Sequence, residues 1–190
     1  MPGVNGADRI GRGKFAATEV TMAKDSDPAA DDFEVTKHTL VREALERAGK
    51  QPCRVREDEP LASVAELLGE APGVHTVAVV DRDGRLVGII PMRILLDDLF
   101  LRLAPEDFLV GMREMTGVEE FGRISRAEKA GELMEEPKFV HMDDTVRDAF
   151  TRMHEEQLEG LPIVDESMKV VGYLDRFQLL RLWLRGQKKG

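Results

Sequence analysis

The chain has 190 residues, of which 42% are hydrophobic, so it can bury one globular core or two small ones. Its formal net charge of -9 argues against nucleic-acid binding, because neutralising phosphates requires an excess of Lys and Arg. No apolar run approaches the ~20 residues that span a bilayer, so we expect no direct membrane insertion. The single cysteine, Cys53, excludes an internal disulfide and fits a reducing, cytoplasmic setting.

The first third of the chain contains a tail and then a regular pattern. Residues 1–35 are rich in Gly, Ala, Asp and Lys and show no apolar period, which predicts a flexible N-terminal tail. From Leu40 to Ala48, apolar residues recur at helical spacing, and Gly49 is suited to end that helix. This leading helix opens a first structural unit over residues 36–103.

The remainder of the first unit reads as strand, helix, strand, strand and helix. "CRVRE" alternates like a short strand, and "EPLASVAELLGEAPG" predicts a helix. "VHTVAVVD" and "RLVGII" predict a hairpin around an Asp-Gly turn, and "PMRILLDDLFLRL" predicts a helix in which Pro91 is tolerated near the first turn. The residues expected to face inward on the first of these two helices are Leu61, Val64, Ala65 and Leu68.

Residues 104–129 form a long connector to the next unit. Phe108, Leu109, Met112 and Met115 lie at near-helical spacing, which predicts an amphipathic helical insert. Three roles remain open for it: packing on its own domain, forming a dimer contact, or docking a partner protein.

The same order of elements returns over residues 130–186, before a tail of residues 187–190. "FVHM" predicts a strand, and the following helix has Thr145 and Asp148 at capping-box spacing. "LEGLPIVD" and "VVGYL" predict a second hairpin, and "DRFQLLRLWLR" predicts the last helix. The residues expected to face inward on the helix of this unit are Val146, Ala149, Phe150 and Met153.

The two units are copies of one another. Adding 84 to a residue number in the first hairpin gives its equivalent in the second, and the residues at equivalent positions are often identical. The identical pairs are Val80 and Val164, Asp81 and Asp165, Val87 and Val171, Gly88 and Gly172, Leu95 and Leu179, and Leu96 and Leu180.

The segments "GLPIVD" and "VVGYL" in the second unit, with "VVDRDGRLVGII" in the first and "AGELM" before the second, resemble the CBS-domain family, named after cystathionine β-synthase. The resemblance implies an α+β fold: tandem repeats packed about a pseudo-twofold axis as a Bateman module, here with a helical insert between them. It also implies a homodimer that regulates another, unknown protein. AMP, ADP, ATP and S-adenosylmethionine are the regulatory ligands that such modules commonly bind.

In ligand-binding members of that family, a Thr or Ser and an Asp three residues later follow the second hairpin strand. Here the two positions hold Pro91 and Ile94 in the first repeat, and Asp175 and Gln178 in the second. Pro and Ile cannot hold a ribose or a phosphate, whereas Gln178 can hydrogen-bond a hydroxyl. Asp175 is suited either to a ligand or to capping the last helix. The resemblance therefore implies a ligand cleft lined by Gly160, Leu161, Pro162, Asp175, Arg176 and Gln178.

Two arginines adjoin these positions. Arg93 precedes Ile94, where many family members carry an Arg that reaches phosphates, and Arg176 follows Asp175. The alternative for both arginines is a solvated side chain or an ion pair with a neighbouring carboxylate.

No pattern of residues indicates catalysis or metal binding. The four histidines show no ligand spacing, Cys53 has no evident His partner, and no nucleophile motif is present. We therefore expect a non-enzyme, and no metal site is assigned. Two main functions stay open: a sensor of a small ligand, with an adenine nucleotide favoured, and a ligand-free dimerisation or partner-docking scaffold with degenerate nucleotide sites. A metal-dependent role through Asp175 and neighbouring carboxylates is a third alternative.

Overall fold

The computed structural model describes residues 35–103 and 127–187. The chain divides into a unit of residues 1–31 and a unit of residues 32–190, and the description below concerns the second unit. The predicted tail over residues 1–35 falls outside the described residues except for its last one. The connector over residues 104–129 does so except for its last three, and the tail of residues 187–190 except for its first.

Both predicted repeats are present with the expected order of elements. The first comprises α1 (Val41–Ala48), β1 (Arg54–Arg56), α2 (Leu61–Gly69), β2 (Thr76–Val80), β3 (Leu86–Pro91) and α3 (Met92–Leu103). The second comprises α4 (Ala130–Leu133), β4 (Val140–His141), α5 (Val146–Glu155), β5 (Gly160–Val164), β6 (Val170–Asp175) and α6 (Arg176–Gln187). No helix in the described ranges is long and apolar enough to cross a membrane.

Each repeat forms one three-stranded sheet, and the two sheets have equivalent connectivity. Strand order is β1-β2-β3 in the first sheet and β4-β5-β6 in the second, with a parallel pair followed by an antiparallel hairpin in both. A register shift occurs at Val79/Val80 and again at Ile163/Val164. The irregularity therefore repeats at an offset of 84 residues, together with the regular structure.

The hairpin turns are equivalent although their sequences differ. Gly84 has a φ of 80° and its equivalent Met168 a φ of 63°, so both lie in the left-handed region that favours glycine. Asp81 and Asp165 stabilise the turns, since one carboxylate oxygen of each accepts hydrogen bonds from the backbone N–H groups two and four residues later. The side chain before the turn thus supports the same conformation in both repeats.

The short helix that precedes each repeat packs on the other repeat. Helix α1 packs against β6 and α6, and α4 packs against β1 and β3. A glycine allows each close approach: the position of a Cβ on Gly172 lies 2.5 Å from the Leu45 side chain, and that of a Cβ on Gly88 lies 2.5 Å from the Met134 side chain. Because the two repeats exchange these helices, each core is completed by the other repeat.

One expectation about an individual residue is wrong. Phe150 does not face the core; its side chain is 40% exposed and makes an edge contact with the Trp183 ring, with centroids 6.1 Å apart. Pro91 is the last residue of β3, opposite Thr76, and lies directly before the first residue of α3, which agrees with its expected place near the first turn of that helix. The other residues expected to face inward on α2 and α5 are buried, apart from the partly buried Ala65.

Candidate functional site

The junction between β6 and α6 is a closed hydrogen-bonded unit. The Gln178 N–H donates to Asp175 Oδ1 at 2.6 Å, and the Asp175 N–H donates to Gln178 Oε1 at 2.6 Å. Asp175 immediately precedes α6 and Gln178 is its third residue, so the pair forms a capping box. Both side chains are buried, at 2% and 3% exposure. Asp175 therefore caps the last helix, one of the two roles that the sequence left open.

Lys50 joins this unit to the first repeat. Its Nζ lies 2.8 Å from Asp175 Oδ2 and donates to the carbonyl of Gly73 at 3.0 Å. The Gln178 amide also donates to the carbonyl of Ala48. Asp175 and Gln178 thus tie together the end of α1, a loop of the first repeat and the start of α6. We call Lys50, Asp175 and Gln178 the junction cluster.

Tyr173 fills the space beside Gly160. Its hydroxyl accepts a hydrogen bond from the backbone N–H of His75 at 3.0 Å, and the ring is 1% exposed. Burial raises the pKa of Tyr173 to about 12, against the opposing effect of that hydrogen bond. The position of a Cβ on Gly160 lies 2.5 Å from Tyr173 Cζ and 2.9 Å from Asp175 Cβ. Gly160 is therefore needed here for packing inside the protein.

The remaining candidate residues lie apart from the junction cluster. Leu161 and Pro162 are buried in β5, and Leu161 belongs to the core of the second repeat. Arg176 donates through Nη2 to the carbonyl of Met153 at 2.8 Å, near the end of α5. Arg93 lies on α3 with its side chain 72% exposed, 3.6 Å from the Asp97 carboxylate. The structure thus brings together Gly160, Asp175 and Gln178, and it places the two arginines elsewhere.

The equivalent junction in the first repeat is apolar. Pro91 and Ile94 occupy the positions of Asp175 and Gln178, and Ile94 is 1% exposed within the core. A capping box cannot form there, because neither side chain has a hydrogen-bonding group. The polar junction is therefore confined to one of the two equivalent positions.

A groove of about 390 Å³ lies between the end of α1 and the face of α6, next to the junction cluster. Its lining includes Gln178 and the Phe177 ring, which is 63% exposed. It also includes four basic side chains and one acidic one, which are Arg47, Lys50, Arg181, Arg185 and Glu46. Sequence reasoning missed these basic residues, since the spacing on α6 gives no sign that α1 lies alongside.

No group of three or more His, Cys, Asp or Glu side chains that could hold a metal ion occurs in residues 35–103 and 127–187. Burial raises the pKa of the Cys53 thiol, so at neutral pH it is held in the protonated form, which is the weaker nucleophile.

Two equivalent α+β repeats with exchanged leading helices define a tandem-repeat module. The CBS domain family matches residues 41–100 and 130–185, and the chain belongs to that family. The resemblance carried by the hairpin motifs is thereby confirmed, as is the α+β fold of tandem CBS repeats. No curated protein matches the chain.

Solved structures of CBS-domain proteins have the same fold. A CBS domain-containing protein from Thermotoga maritima is 28% identical, with 76% of this chain and 94% of that chain covered and a TM-score of 0.60. The protein CBSX2 in complex with AMP is 24% identical, with 80% of this chain and 99% of that chain covered and a TM-score of 0.56. A CBS domain pair in complex with 5′-methylthioadenosine and S-adenosyl-L-methionine is 22% identical, with 79% of this chain and 98% of that chain covered and a TM-score of 0.56.

Proposed function

We propose that this protein is a non-catalytic regulatory module that senses a small ligand, with an adenine nucleotide favoured, in a cleft between its repeats. One observation carries the proposal: the two repeats of a CBS pair meet at the polar junction cluster, and an open groove adjoins it. The complexes of similar CBS pairs with AMP and with S-adenosylmethionine support an adenosine-containing ligand.

The second repeat is the favoured half for binding. Asp175 and Gln178 can each hydrogen-bond a ribose hydroxyl, whereas Pro91 and Ile94 cannot. The proposed ligand contacts are the backbone of residues 160–162 and the side chains of Asp175, Arg176 and Gln178, with Arg93 a contact in the other cleft. Asp175 and Gln178 already form hydrogen bonds with Lys50, Ala48 and each other. A ligand that binds their side chains must therefore replace one or more of these hydrogen bonds. Ligand binding would therefore weaken one set of contacts between the two repeats. This change could alter how the repeats are arranged and so how the protein contacts its partner.

A thermal-shift and calorimetric screen with AMP, ADP, ATP and S-adenosylmethionine tests the proposal. A ligand at one hundred times its dissociation constant should add about 2.7 kcal/mol to the free energy of unfolding. Gln178→Leu should weaken binding in the second-repeat cleft, and Arg93→Gln should leave it unchanged. Absence of a response to all four compounds at millimolar concentration, with no nucleotide found by mass spectrometry in the purified protein, would refute the sensing function.

The alternative, a dimerisation scaffold, is favoured by a separate observation on α3 and α6. Leu96 and Phe100 are exposed on α3, and their equivalents at an offset of 84, Leu180 and Leu184, are exposed on α6. Two matching apolar helix faces suit a symmetric contact with a second copy, since both faces can meet their counterparts at once. We propose that the homodimer forms through these faces.

Sedimentation of the variant Leu96→Glu/Leu180→Glu tests the dimer. We expect it to sediment as a monomer with an unchanged circular dichroism spectrum. Leu67→Glu is the matched control, because Leu67 is a comparably exposed leucine (42%) that lies on a different helix, α2. A double variant that keeps the mass of the wild-type assembly would refute this interface. Dimerisation without any ligand response would favour the scaffold over the sensor.

A further inference from the structure

The two helices that carry the exposed apolar faces differ in charge, although they occupy equivalent positions in the two repeats. Helix α6 contains three arginines and no acidic residue, whereas α3 contains two arginines and two aspartates. The difference is sharpest at Asp97 and Arg181, which are equivalent at an offset of 84 and carry opposite charges. The two faces are therefore alike in their apolar residues and unlike in their charge.

Asp97 and Arg181 lie at the edge of these faces. Asp97 comes three residues before Phe100 on α3, and Arg181 comes three residues before Leu184 on α6. Side chains at this spacing are neighbours on a helix surface. The Asp97 side chain is 47% exposed, with Arg93 as its ion-pair partner at 3.6 Å, and Arg181 is also exposed. Both charges can therefore reach a second copy at the rim of an apolar contact.

A twofold homodimer through these faces has two possible arrangements. In the first, α3 meets α3 of the other copy and α6 meets α6. In the second, the crossed arrangement, α3 of each copy meets α6 of the other. The first arrangement brings the arginines of two α6 helices together, with no carboxylate on either helix, and like charges across an interface are unfavourable. The crossed arrangement sets the arginines of each α6 against a helix that carries Asp97.

We propose that the homodimer has the crossed arrangement and that Asp97 and Arg181 select it. The inference rests on the proposed homodimer and deepens it by naming the faces that meet. Each dimer then has two rim ion pairs, since Asp97 of either copy lies beside Arg181 of the other. A second equivalent pair agrees: Arg93 is 72% exposed and its equivalent Phe177 is 63% exposed. An arginine over an aromatic ring is favourable, whereas two Arg93 side chains facing one another repel.

Sedimentation equilibrium of charge-reversal variants of the full chain tests the proposal. Asp97→Arg and Arg181→Asp should each raise the dimer dissociation constant about tenfold, because each turns two exposed attractions into repulsions. Asp97→Arg/Arg181→Asp restores opposite charges and should return the dissociation constant to within about threefold of wild type. The matched control is Arg82→Glu/Glu166→Arg, since these exposed residues are also equivalent and opposite in charge but lie in the hairpin turns. Its single and double variants should change the dissociation constant less than about twofold.

Cross-linking tests the arrangement directly. A short bis-maleimide reagent is added to Phe100→Cys, to Leu184→Cys, and to a mixture of the two variants after subunit exchange. Both variants keep Leu96 and Leu180 to hold the contact. The crossed arrangement predicts cross-linked dimers chiefly in the mixture, with one chain of each variant. Wild type is the control and should not cross-link, because its single cysteine, Cys53, is buried.

The outcomes separate this inference from the homodimer and from the sensing function. If the single reversals leave the dissociation constant unchanged, or if each cysteine variant cross-links with itself, the inference is overturned and the homodimer stands. Losses that add up in Asp97→Arg/Arg181→Asp would also overturn it, since the two charges would then not meet. A dimer that gives no cross-link in any sample has the same consequence. A wild type that sediments as a monomer would remove the homodimer and this inference together, and would leave the sensing function standing.

Discussion

Replacing Gly160 with alanine should destabilise the second repeat by overpacking. The new methyl group would collide with the Tyr173 hydroxyl and would lie 2.5 Å from its Cζ, against van der Waals contacts of ~3.5 Å or more. The ring cannot move aside freely, because its hydroxyl is held by the backbone N–H of His75 and the side chain is 1% exposed. Strand β5 must therefore shift, or the ring must lose its hydrogen bond.

The expected cost is about 1–3 kcal/mol, the usual range for an extra group in a close-packed core. For a chain of 190 residues that is a fall of roughly 2–12 °C in Tm, measured by differential scanning calorimetry. The control is Gly69→Ala at the end of α2, where a Cβ meets nothing within 4 Å. That variant should be neutral or slightly stabilised, since alanine is the better helix former.

Tyr173→Phe sharpens the test. Removing the hydroxyl removes the nearest collision and frees the ring from His75, so Gly160→Ala should cost less in the Tyr173→Phe background than in wild type. The double-mutant cycle isolates that coupling. The smallest fall expected is ~2 °C. A Tm for Gly160→Ala within about 1 °C of wild type would therefore refute the packing account and return Gly160 to its role in a ligand cleft.

Three further predictions concern hydrogen-bonded or buried groups. Tyr173, the only tyrosine, should ionise near pH 12 in the folded protein and near 10 in denaturant, as followed by tyrosinate absorbance. The free energy of unfolding should therefore be unaffected by this group below pH 10 and should fall as pH rises toward 12, because only the folded state then keeps the phenol proton. A titration midpoint near pH 10 for Tyr173 in the folded protein would contradict its burial. Thr145→Ala should cost about 1 kcal/mol in urea denaturation, since it removes the capping box with Asp148. The Thr145 hydrogen bond lowers the pKa of Asp148. The destabilisation caused by Thr145→Ala should therefore shrink as pH falls through the pKa that Asp148 has in the folded protein. A destabilisation that does not change with pH would contradict this hydrogen bond. Lys50→Met should cost about 3 kcal/mol, because it leaves the buried Asp175 carboxylate without its cation, and an unchanged unfolding midpoint would show that the ion pair contributes nothing.

Local chemistry was enough to predict most of the fold. Hydrophobic periodicity located the helices and strands, and the Asp-Gly turn located the first hairpin. The identities at an offset of 84 predicted two equivalent units, and the offset extends to the register shifts in both sheets. Phe150 shows the limit of this reasoning: its position in the helical period was correct for a buried residue, but the packing of α5 leaves it on the surface beside Trp183.

For the candidate site, the sequence alone singled out Asp175 and Gln178 and showed that their equivalents in the first repeat are apolar. It also offered helix capping for Asp175, because capping depends on neighbours only three residues away. Only the tertiary structure decided which distant groups meet this pair. Lys50 reaches Asp175 across 125 residues of chain, since α1 packs on the opposite repeat. The same exchange sets α1 beside α6 and assembles the basic groove, which no short-range pattern could reveal.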